Sequence, residues 1–494
     1  MLSLILVLVI IFSVVYFLGR KESSLPPGIW GWPLLGSLPA SDIAMPDQVM
    51  ALRKKYGDIF TWRIGMRTYI FICEYQLIKT ALSKIELADR PELYSFDVFT
   101  EFNKIGIANG NGRFWMNNRR FALRHLRSLG MGKATYESVI QYEAESLIKD
   151  MQKLSGKPTE LPWSINVAVL NVIWRIVADR RYDIDDEEVL EFQELINRIF
   201  KEVSPVVLYY DMLPWLPKLI PASLNKMLGV NEYFSISQQT LKRMKEVIKE
   251  HQATFDPENP RDYIDYYLKE MEAHKDDPES TMSIRELTYT LEDLFIAGSE
   301  TTSSTLRWAI FYLSKHQDIQ RKLQKEIDAV VDKNTLPSLK HRERLAYLDA
   351  VIKEVARVVS LLPLSVPHAA AEDTTLNGYK IPKGSVIMCC TEACHNDPKL
   401  WEKPDEFYPE HFLDKDGKLI KREGFMPFGT GRRICLGESL ANIELFLFLG
   451  GLVQNFHFEL AEGEDLHPKK NPKDRLINTA KPIQVIISKR KGQE

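Results

Sequence analysis

The segment FMPFGTGRRICLG sets one cysteine, Cys435, among Phe428, Gly429, Gly431, Arg433 and Gly437. Glycines at this density suit a tight turn whose backbone lies close to something bulky. The run ESLANIELFLFL follows at once, so the cysteine stands where a helix begins, and backbone N–H groups with the positive end of the dipole favour thiolate over thiol there. A thiolate is a ligand for soft metals. A second group of polar residues, AGSETTSST at 297–305, interrupts an apolar periodicity from Ile284 to Lys315 that predicts one helix roughly 45 Å long. Gly298 and its hydroxyl neighbours are poor helix formers that loosen the ladder. At 100° per residue Asp293, Ala297, Glu300, Thr301 and Ser304 share one face, which makes a polar notch.

Two further charged groupings stand on helical patterns. Glu354 and Arg357 are three apart on the flank of a helix with the apolar stripe Leu348, Val351, Ile352, Val355 and Val359; taken alone, this spacing is a weak surface ion pair. In NGRFWMNNRRFALRHLRSLG, Trp115, Arg119, Ala122, Leu126 and Leu129 fall on one stripe, so Arg119 points to the apolar side. A buried guanidinium needs an anionic partner, and no carboxylate on that stripe provides one. Arg120, Arg124 and Arg127 lie on a different, solvent-directed face and, with Lys421, Arg422 and Arg432 near the cysteine, form a basic patch able to steer an acidic partner.

Taken together, these segments resemble the motifs of the cytochrome P-450 family. The cysteine segment matches FxxGxRxCxG at every fixed position, AGSETT matches AGxETT, Glu354 and Arg357 match ExxR, and Trp115 and Arg119 match WxxxR. A PxxFxPExF segment follows as Pro404, Phe407, Pro409, Glu410 and Phe412, with His411 in place of the usual arginine. That departure is shared with the microsomal family-2 branch, and it weakens the case for a three-way salt bridge around Glu354. The resemblance covers essentially the whole chain, with the motifs in the family's order.

It implies a single, mainly α catalytic domain with small sheets, and haem b held between the long helix and the cysteine-loop helix with Cys435 as axial ligand. It further implies propionate contacts from Trp115, Arg119, His368 and Arg433, with Phe428, Gly429 and Ala297 lining the cofactor. Thr301 and Glu300 become the proton-delivering pair, and Glu354 with Arg357 a structural lock. The implied activity is O2-dependent monooxygenation, with NADPH electrons arriving through a flavoprotein reductase and cytochrome b5 as a further candidate donor. Substrate contacts carried over by segment are Phe96, Phe99, Phe102, Ile107, Leu364, Val366 and Ile477, all apolar, as a hydrophobic xenobiotic, lipid or hormone-like molecule would require. Two rivals keep the cofactor and change the chemistry. One is a reductase-independent haem-thiolate isomerase, against which the intact Glu300–Thr301 pair speaks; the other is a non-catalytic membrane haem protein, for which the basic patch has no purpose.

The elements that must position these groups are also written in the chain. Residues 1–18 are apolar except Ser3, Ser13 and Tyr16, and no charge precedes Arg20 and Lys21. That is enough to span a bilayer, and without a basic n-region or a small-x-small cleavage site it reads as a retained anchor at 1–20. The basic pair places the body on the cytosolic side, as for an endoplasmic reticulum protein. Residues 21–40, LPPGIWGWPLLGSLP included, read as a stiff proline- and glycine-rich hinge before a catalytic domain at 41–494. β-rich runs occur at 59–72, 386–390 and 483–488, with helical periodicity over most of the remainder. The proline-punctuated apolar stretch 205–221 reads either as a membrane-surface contact or as a buried irregular loop.

Lys+Arg 64 against Asp+Glu 67 leaves a net charge of -3 over 494 residues, so no global field points to nucleic acid. The five cysteines, Cys73, Cys389, Cys390, Cys394 and Cys435, are odd in number and sparse, which argues against a secreted disulfide framework. Cys390 and Cys394 beside His395 suggest zinc only weakly, because the stretch is strand-like and lacks a second ligand pair at zinc spacing.

Overall fold

A computed structural model describes residues 9, 21–154, 156–201, 205–465, 477–479 and 482–490. The expected anchor at 1–20 lies outside the described residues, Val9 apart, and no helix among the described residues is long and apolar enough to cross a membrane. The helices that build the site are α1 (Tyr75–Ser83), α2 (Gly112–Ser128), α3 (Glu137–Gln152), α4 (Ser164–Ala178), α5 (Val230–Thr254), α6 (Ile284–Lys315), α7 (Ala346–Val359) and α8 (Glu438–Asn455). The apolar periodicity from Ile284 to Lys315 is thus one 32-residue rod, started by Ser283, whose hydroxyl accepts the Glu286 N–H. α4 is buried at every position but Arg175, as expected of a helix apolar all round, and it lies along α6. α3 packs between α4 and α8, and α8 returns to α6.

Strands β1 (Gly28–Ile29), β2 (Ile59–Ile64), β3 (Arg67–Ile72), β4 (Pro158–Glu160), β5 (His368–Ala369), β6 (Thr374–Leu376), β7 (Tyr379–Ile381), β8 (Val386–Cys389), β9 (Phe456–Leu460) and β10 (Gln484–Lys489) form small sheets. Their orders are β1-β2-β3-β8-β5, β4-β10-β9 and β6-β7. The three β-rich runs read from sequence are therefore β2 with β3, β8, and β10.

Part of the proline- and glycine-rich segment lies on the sheet. Gly28 and Ile29 pair in parallel with Thr61 and Trp62, and the indole N–H of Trp62 donates to the Ser37 carbonyl at 2.8 Å. A Cβ on Gly28 would stand 1.8 Å from the Thr61 carbonyl oxygen, so glycine is what lets this segment lie on the sheet. Residues 28–37 border the sheet. The stretch 205–221 is likewise no irregular loop: it forms helices Pro205–Met212 and Leu216–Leu219, with Pro205 and Pro217 in first turns where the missing N–H costs nothing. Tyr210 and Leu213 are buried, whereas Leu219 and, just beyond, Met227 are 70% and 76% exposed.

Glu354 and Arg357 are not a surface pair, since both side chains are fully buried. Arg357 donates to the two Glu354 oxygens at 2.7 and 2.9 Å and to the carbonyls of His395, Pro404 and Glu406 at 2.8 Å, which engages all five of its N–H groups. His411 Nδ1 lies 3.2 Å from both Glu354 oxygens, while its Nε2 accepts the Lys403 N–H at 3.2 Å. The proton therefore sits on Nδ1, and His411 joins the pair as a neutral hydrogen-bond donor. The residue that weakened the three-way reading in the sequence completes it by other means. The zinc reading fails on partners: His395 Nδ1 meets the Ser360 hydroxyl at 2.8 Å and its Nε2 accepts the Met426 N–H at 3.1 Å.

Candidate active site

Cys435 follows a 3-10 turn at Gly431–Arg433 and donates its N–H to the Phe428 carbonyl at 2.9 Å. Gly431 has φ +75° and a Cβ there would lie 2.1 Å from the Leu82 carbonyl oxygen, so the loop rests on the end of α1 only as glycine. Gly429 turns the chain with φ 71°. Burial in this dense loop raises the Cys435 thiol, while the N–H groups of Gly437 and Glu438 and the Arg119 charge oppose the rise. A coordinated cation would favour the thiolate further. Of the five cysteines only Cys435 is exposed. Ala297 is also exposed, although it lies at the middle of α6.

The wall beside the cysteine loop is crowded with unpaired positive charge. The Arg433 guanidinium lies 3.7 Å over the Trp115 ring and donates to the carbonyls of Ala88 (2.8 Å), Ile107 (3.1 Å) and Gly110 (2.6 Å) and to Asn111 Oδ1 (3.2 Å). Arg119 donates to the Ile434 carbonyl. Arg90, which the sequence did not single out, donates to the carbonyls of Ala108 (2.9 Å) and Pro367 (2.7 Å). No carboxylate forms an ion pair with any of the three among the described residues. Burial and the neighbouring Arg90 push Arg433 down to about 8, and burial with Arg119 pushes Arg90 to about 10. Burial, Arg90 and Arg433 hold His368 well below its usual range. Its Nδ1 and the Trp115 Nε1 are buried without hydrogen-bond partners among the described residues.

Three guanidiniums and two orphaned ring nitrogens beside a free thiol fit an anionic group attached to a thiolate-bound metal, which is what the two propionates of haem b would provide. The expected residues Trp115, Arg119, His368, Arg433 and Cys435 are brought together, with Phe428 and Gly429 shaping the loop. Arg90 joins them because Asp89 bridges to Ala369 beside β5, a pairing with no local signal.

On α6, the Thr301 hydroxyl donates to the Ala297 carbonyl at 2.8 Å. Glu300 is buried, and its carboxylate accepts the hydroxyl of Ser304 on the same face at 2.9 Å and the Asn166 amide at 3.3 Å, which ties it to α4. Asn166 in turn accepts from Arg307 at 2.8 Å, so a polar pair across an otherwise apolar interface selects the rotamer. Asp293 accepts the N–H groups of Ile107 (2.7 Å) and Ala108 (2.8 Å); Glu286 accepts those of Gly106 (3.1 Å) and the Asn118 amide (2.9 Å).

Burial lifts Asp293 to about 6 and Glu286 to about 7. A carboxyl with a raised folded value contributes stability that is fully present below its unfolded value and is lost as pH rises through the folded one. Glu286→Gln removes that loss, so its stability relative to the natural chain is expected to improve as pH rises from the ordinary 4.5 and to level off above about 7 in thermal melts of the loaded protein. A difference constant with pH would contradict the raised value.

The expected substrate contacts separate into two sets. Phe102 is 54% exposed and edges Tyr94 at 5.1 Å, and Phe96 and Val366 are half-buried. Phe99 packs edge-on against Tyr233 of α5 at 5.1 Å, Leu364 belongs to the apolar cluster of the five-stranded sheet, and Ile107 and Ile477 are buried. In the basic patch, Arg120, Arg124, Arg127, Lys421 and Arg432 are exposed. Arg422 leaves the patch: it is tied to Glu402 at 2.9 Å and to the Leu400 carbonyl at 2.7 Å. A separate cleft of about 1000 Å³, lined by Tyr312, His316, Phe407 and Tyr408, shares no residue with the Cys435 cluster.

A mainly helical chain that presents one cysteine from this loop, under a long helix and beside an arginine-rich anion cradle, belongs to the cytochrome P450 family, whose model (Cytochrome P450) matches residues 26–487. The chain is a P450 monooxygenase, an oxidoreductase with a haem-thiolate iron cofactor. It is 50% identical over 477 residues to Cytochrome P450 2L1 of Panulirus argus, covering 96% of this chain and 97% of that one. Cytochrome P450 2C28 of Mesocricetus auratus is 37% identical over 472 residues, 94% of each chain. Cytochrome P450 2J2 of Homo sapiens is 37% identical over 455 residues, 91% of this chain and 89% of that one. These relatives agree with the family-2 character read at His411.

Proposed function

We propose that the chain inserts one oxygen atom from O2 into a hydrophobic small molecule, by hydroxylation or epoxidation, with NADPH electrons delivered by a flavoprotein reductase. The observation that carries this is the exposed free Cys435 thiol beside Arg90, Arg119 and Arg433, which no carboxylate pairs among the described residues. Haem b would be held by the Cys435 sulfur and, through its acid groups, by those arginines, Trp115 and His368, and would supply the redox iron.

The chain's own residues do the remainder. Gly437 and Glu438 direct N–H groups at the sulfur and resist its protonation. Thr301 stands one turn from the exposed Ala297, and rotating its O–H off the Ala297 carbonyl presents a proton to the cleft. Glu300 resupplies that hydroxyl after leaving Ser304 and Asn166. Phe96, Phe102, Val366 and the exposed Ala108 give the substrate side its apolar character. Arg120, Arg124, Arg127, Lys421 and Arg432 form the face that meets the reductase, with cytochrome b5 as a second donor to the same face. Endoplasmic reticulum attachment through residues 1–20, with the body in the cytosol, is supported by the relatives and by exposed Trp32, Leu35, Leu219 and Met227.

Thr301→Ala is expected to keep NADPH consumption but lower product per NADPH by about a hundredfold, the low end of positioned proton transfer, with peroxide taking the difference. Peroxide and product measured together check this; full coupling in the variant contradicts the role of Thr301.

A further inference from the structure

The C-terminal end of α6, the start of the helix Gln317–Val330, α7 and the segment 403–410 surround the cleft of about 1000 Å³ that lies apart from the Cys435 cluster, room enough for a small molecule. One wall is aromatic. Tyr312 stacks on Phe407 with ring centres 4.7 Å apart, and the His316 ring lies nearly parallel to Tyr312 at 6.3 Å. Ring faces are electron-rich, and two lysines of the same cleft already use them: the Lys322 ammonium stands 4.0 Å over Tyr347 and that of Lys403 stands 4.6 Å over Tyr408. Both lysines are also ion-paired, Lys322 with Glu410 at 2.6 Å and Lys403 with Glu406 at 2.9 Å. Of the remaining charged groups in the lining, Lys315, Asp318 and Asp405 have no ion pair among the described residues. Two free carboxylates therefore face one free cation. The His316 ring nitrogens and the Tyr312 hydroxyl make no hydrogen bond among the described residues either. Burial and the neighbouring Lys315 hold His316 below its ordinary value, so near neutral pH its ring is uncharged and keeps one lone pair. The backbone of 404–408 is fixed from beneath, because Arg357 donates to the carbonyls of Pro404 and Glu406 and Glu354 accepts the Tyr408 N–H at 2.8 Å. The cleft is thus formed before any ligand arrives.

We propose that this cleft is a second ligand site, which takes a small aryl-alkyl ammonium compound with its ring against Tyr312 and Phe407 and its ammonium received by Asp318, Asp405 and the His316 ring. A primary ammonium has three N–H donors, and these residues offer three acceptors that nothing else in the described chain uses. The aromatic wall supplies apolar contact for the ring and a favourable face for the cation. An aryl carboxylate of the same size would meet the two free carboxylates with Lys315 alone in its favour, so the cleft selects by the sign of the ligand's charge.

The test uses the full-length, haem-loaded protein with 2-phenylethylamine, 2-phenylethanol and 3-phenylpropionate, which share a ring and differ in charge. Amide hydrogen exchange of the peptides covering 311–319 and 403–410 is followed as each compound is added, and the protection yields a dissociation constant at this cleft. The amine is expected to protect both peptides, to bind about tenfold more tightly than the alcohol, and to lose that advantage as salt is added. The propionate is expected to protect neither peptide at the same concentrations. In Asp318→Asn/Asp405→Asn the amine is expected to weaken by about five- to tenfold, the size of two exposed charge contacts, with the alcohol unchanged. Both side chains are exposed, and the comparison of the three compounds on the unmodified protein decides even without the variant. Equal binding of amine and alcohol, tighter binding of the propionate, or an amine constant unmoved in the double variant overturns the proposal. A Soret shift with the amine and no protection of either peptide places it at the iron instead, and overturns the proposal as well.

Discussion

Cys435→Ala is expected to remove the thiolate signature from the ferrous carbon-monoxide spectrum altogether while leaving a protein that still binds some haem. The two halves of that result have separate causes. The sulfur is the one exposed thiol, for the other four cysteines are buried free thiols, and none can substitute for it. The anion cradle, by contrast, is built from Arg90, Arg119, Trp115 and His368 as well as Arg433, on four stretches of chain, and loses nothing when the sulfur goes. Residual haem should therefore be retained by its acid groups and by apolar contact, without the electron-donating ligand and without monooxygenase turnover. An unchanged spectrum in the variant would overturn the ligand assignment; complete loss of haem would mean that the iron–sulfur bond dominates its retention.

Arg357→Ala should do more harm to the fold than any substitution around the cleft. Its guanidinium is fully buried and satisfies Glu354 together with the carbonyls of His395, Pro404 and Glu406. Removing one member of a buried pair costs about 3–5 kcal/mol, because the other charge is left without compensation. Each carbonyl stripped of its donor adds about 1–3 kcal/mol. Against a typical stability of about 5–15 kcal/mol this approaches the whole margin, so little soluble haem-loaded protein is expected. Glu354 keeps only the Tyr408 N–H at 2.8 Å and the neutral His411, which cannot replace the charge. Lysine at 357 retains the charge but has three donors where five are used, and should fall between the two. Soluble yield and the thermal midpoint of the loaded protein measure this; a midpoint unchanged in the alanine variant would show that the pair is not what holds α7 to the segment around 404–411.

Several elements were legible because their signals are local. The 3.6-residue periodicity of α6, the glycines that allow the turn before Cys435, and the β-rich runs of β2, β3, β8 and β10 all depend on near neighbours in the chain. Arg119 was legible too, since its place on the stripe of Trp115, Ala122 and Leu126 puts its charge on the buried side before any partner is known. Other features were not. Pro26 and Pro27 describe a stiff segment equally well whether it floats or docks, and only the missing Cβ of Gly28 against Thr61 shows that it docks. The stripe angles put Glu300 near Thr301, but a rotamer chosen by Asn166, 134 positions away in sequence, turns the carboxylate to α4. Arg90 sits in no periodic pattern at all.

The sequence by itself determined the chemistry on offer: one cysteine in a haem-loop pattern, a hydroxyl-rich notch in a long helix, and an arginine whose charge had to be met. Helix and turn preferences are set by backbone torsions and by burial repeated every few residues, so they survive reading one segment at a time. Tertiary structure alone decided which donors stay free for an anion. Arg433 spends its N–H groups on carbonyls at 88, 107 and 110, Arg90 on those of 108 and 367, and Arg357 on three carbonyls between 395 and 406. Whether a buried charge is satisfied or waiting depends on atoms brought in from distant parts of the chain, and no local pattern encodes that balance.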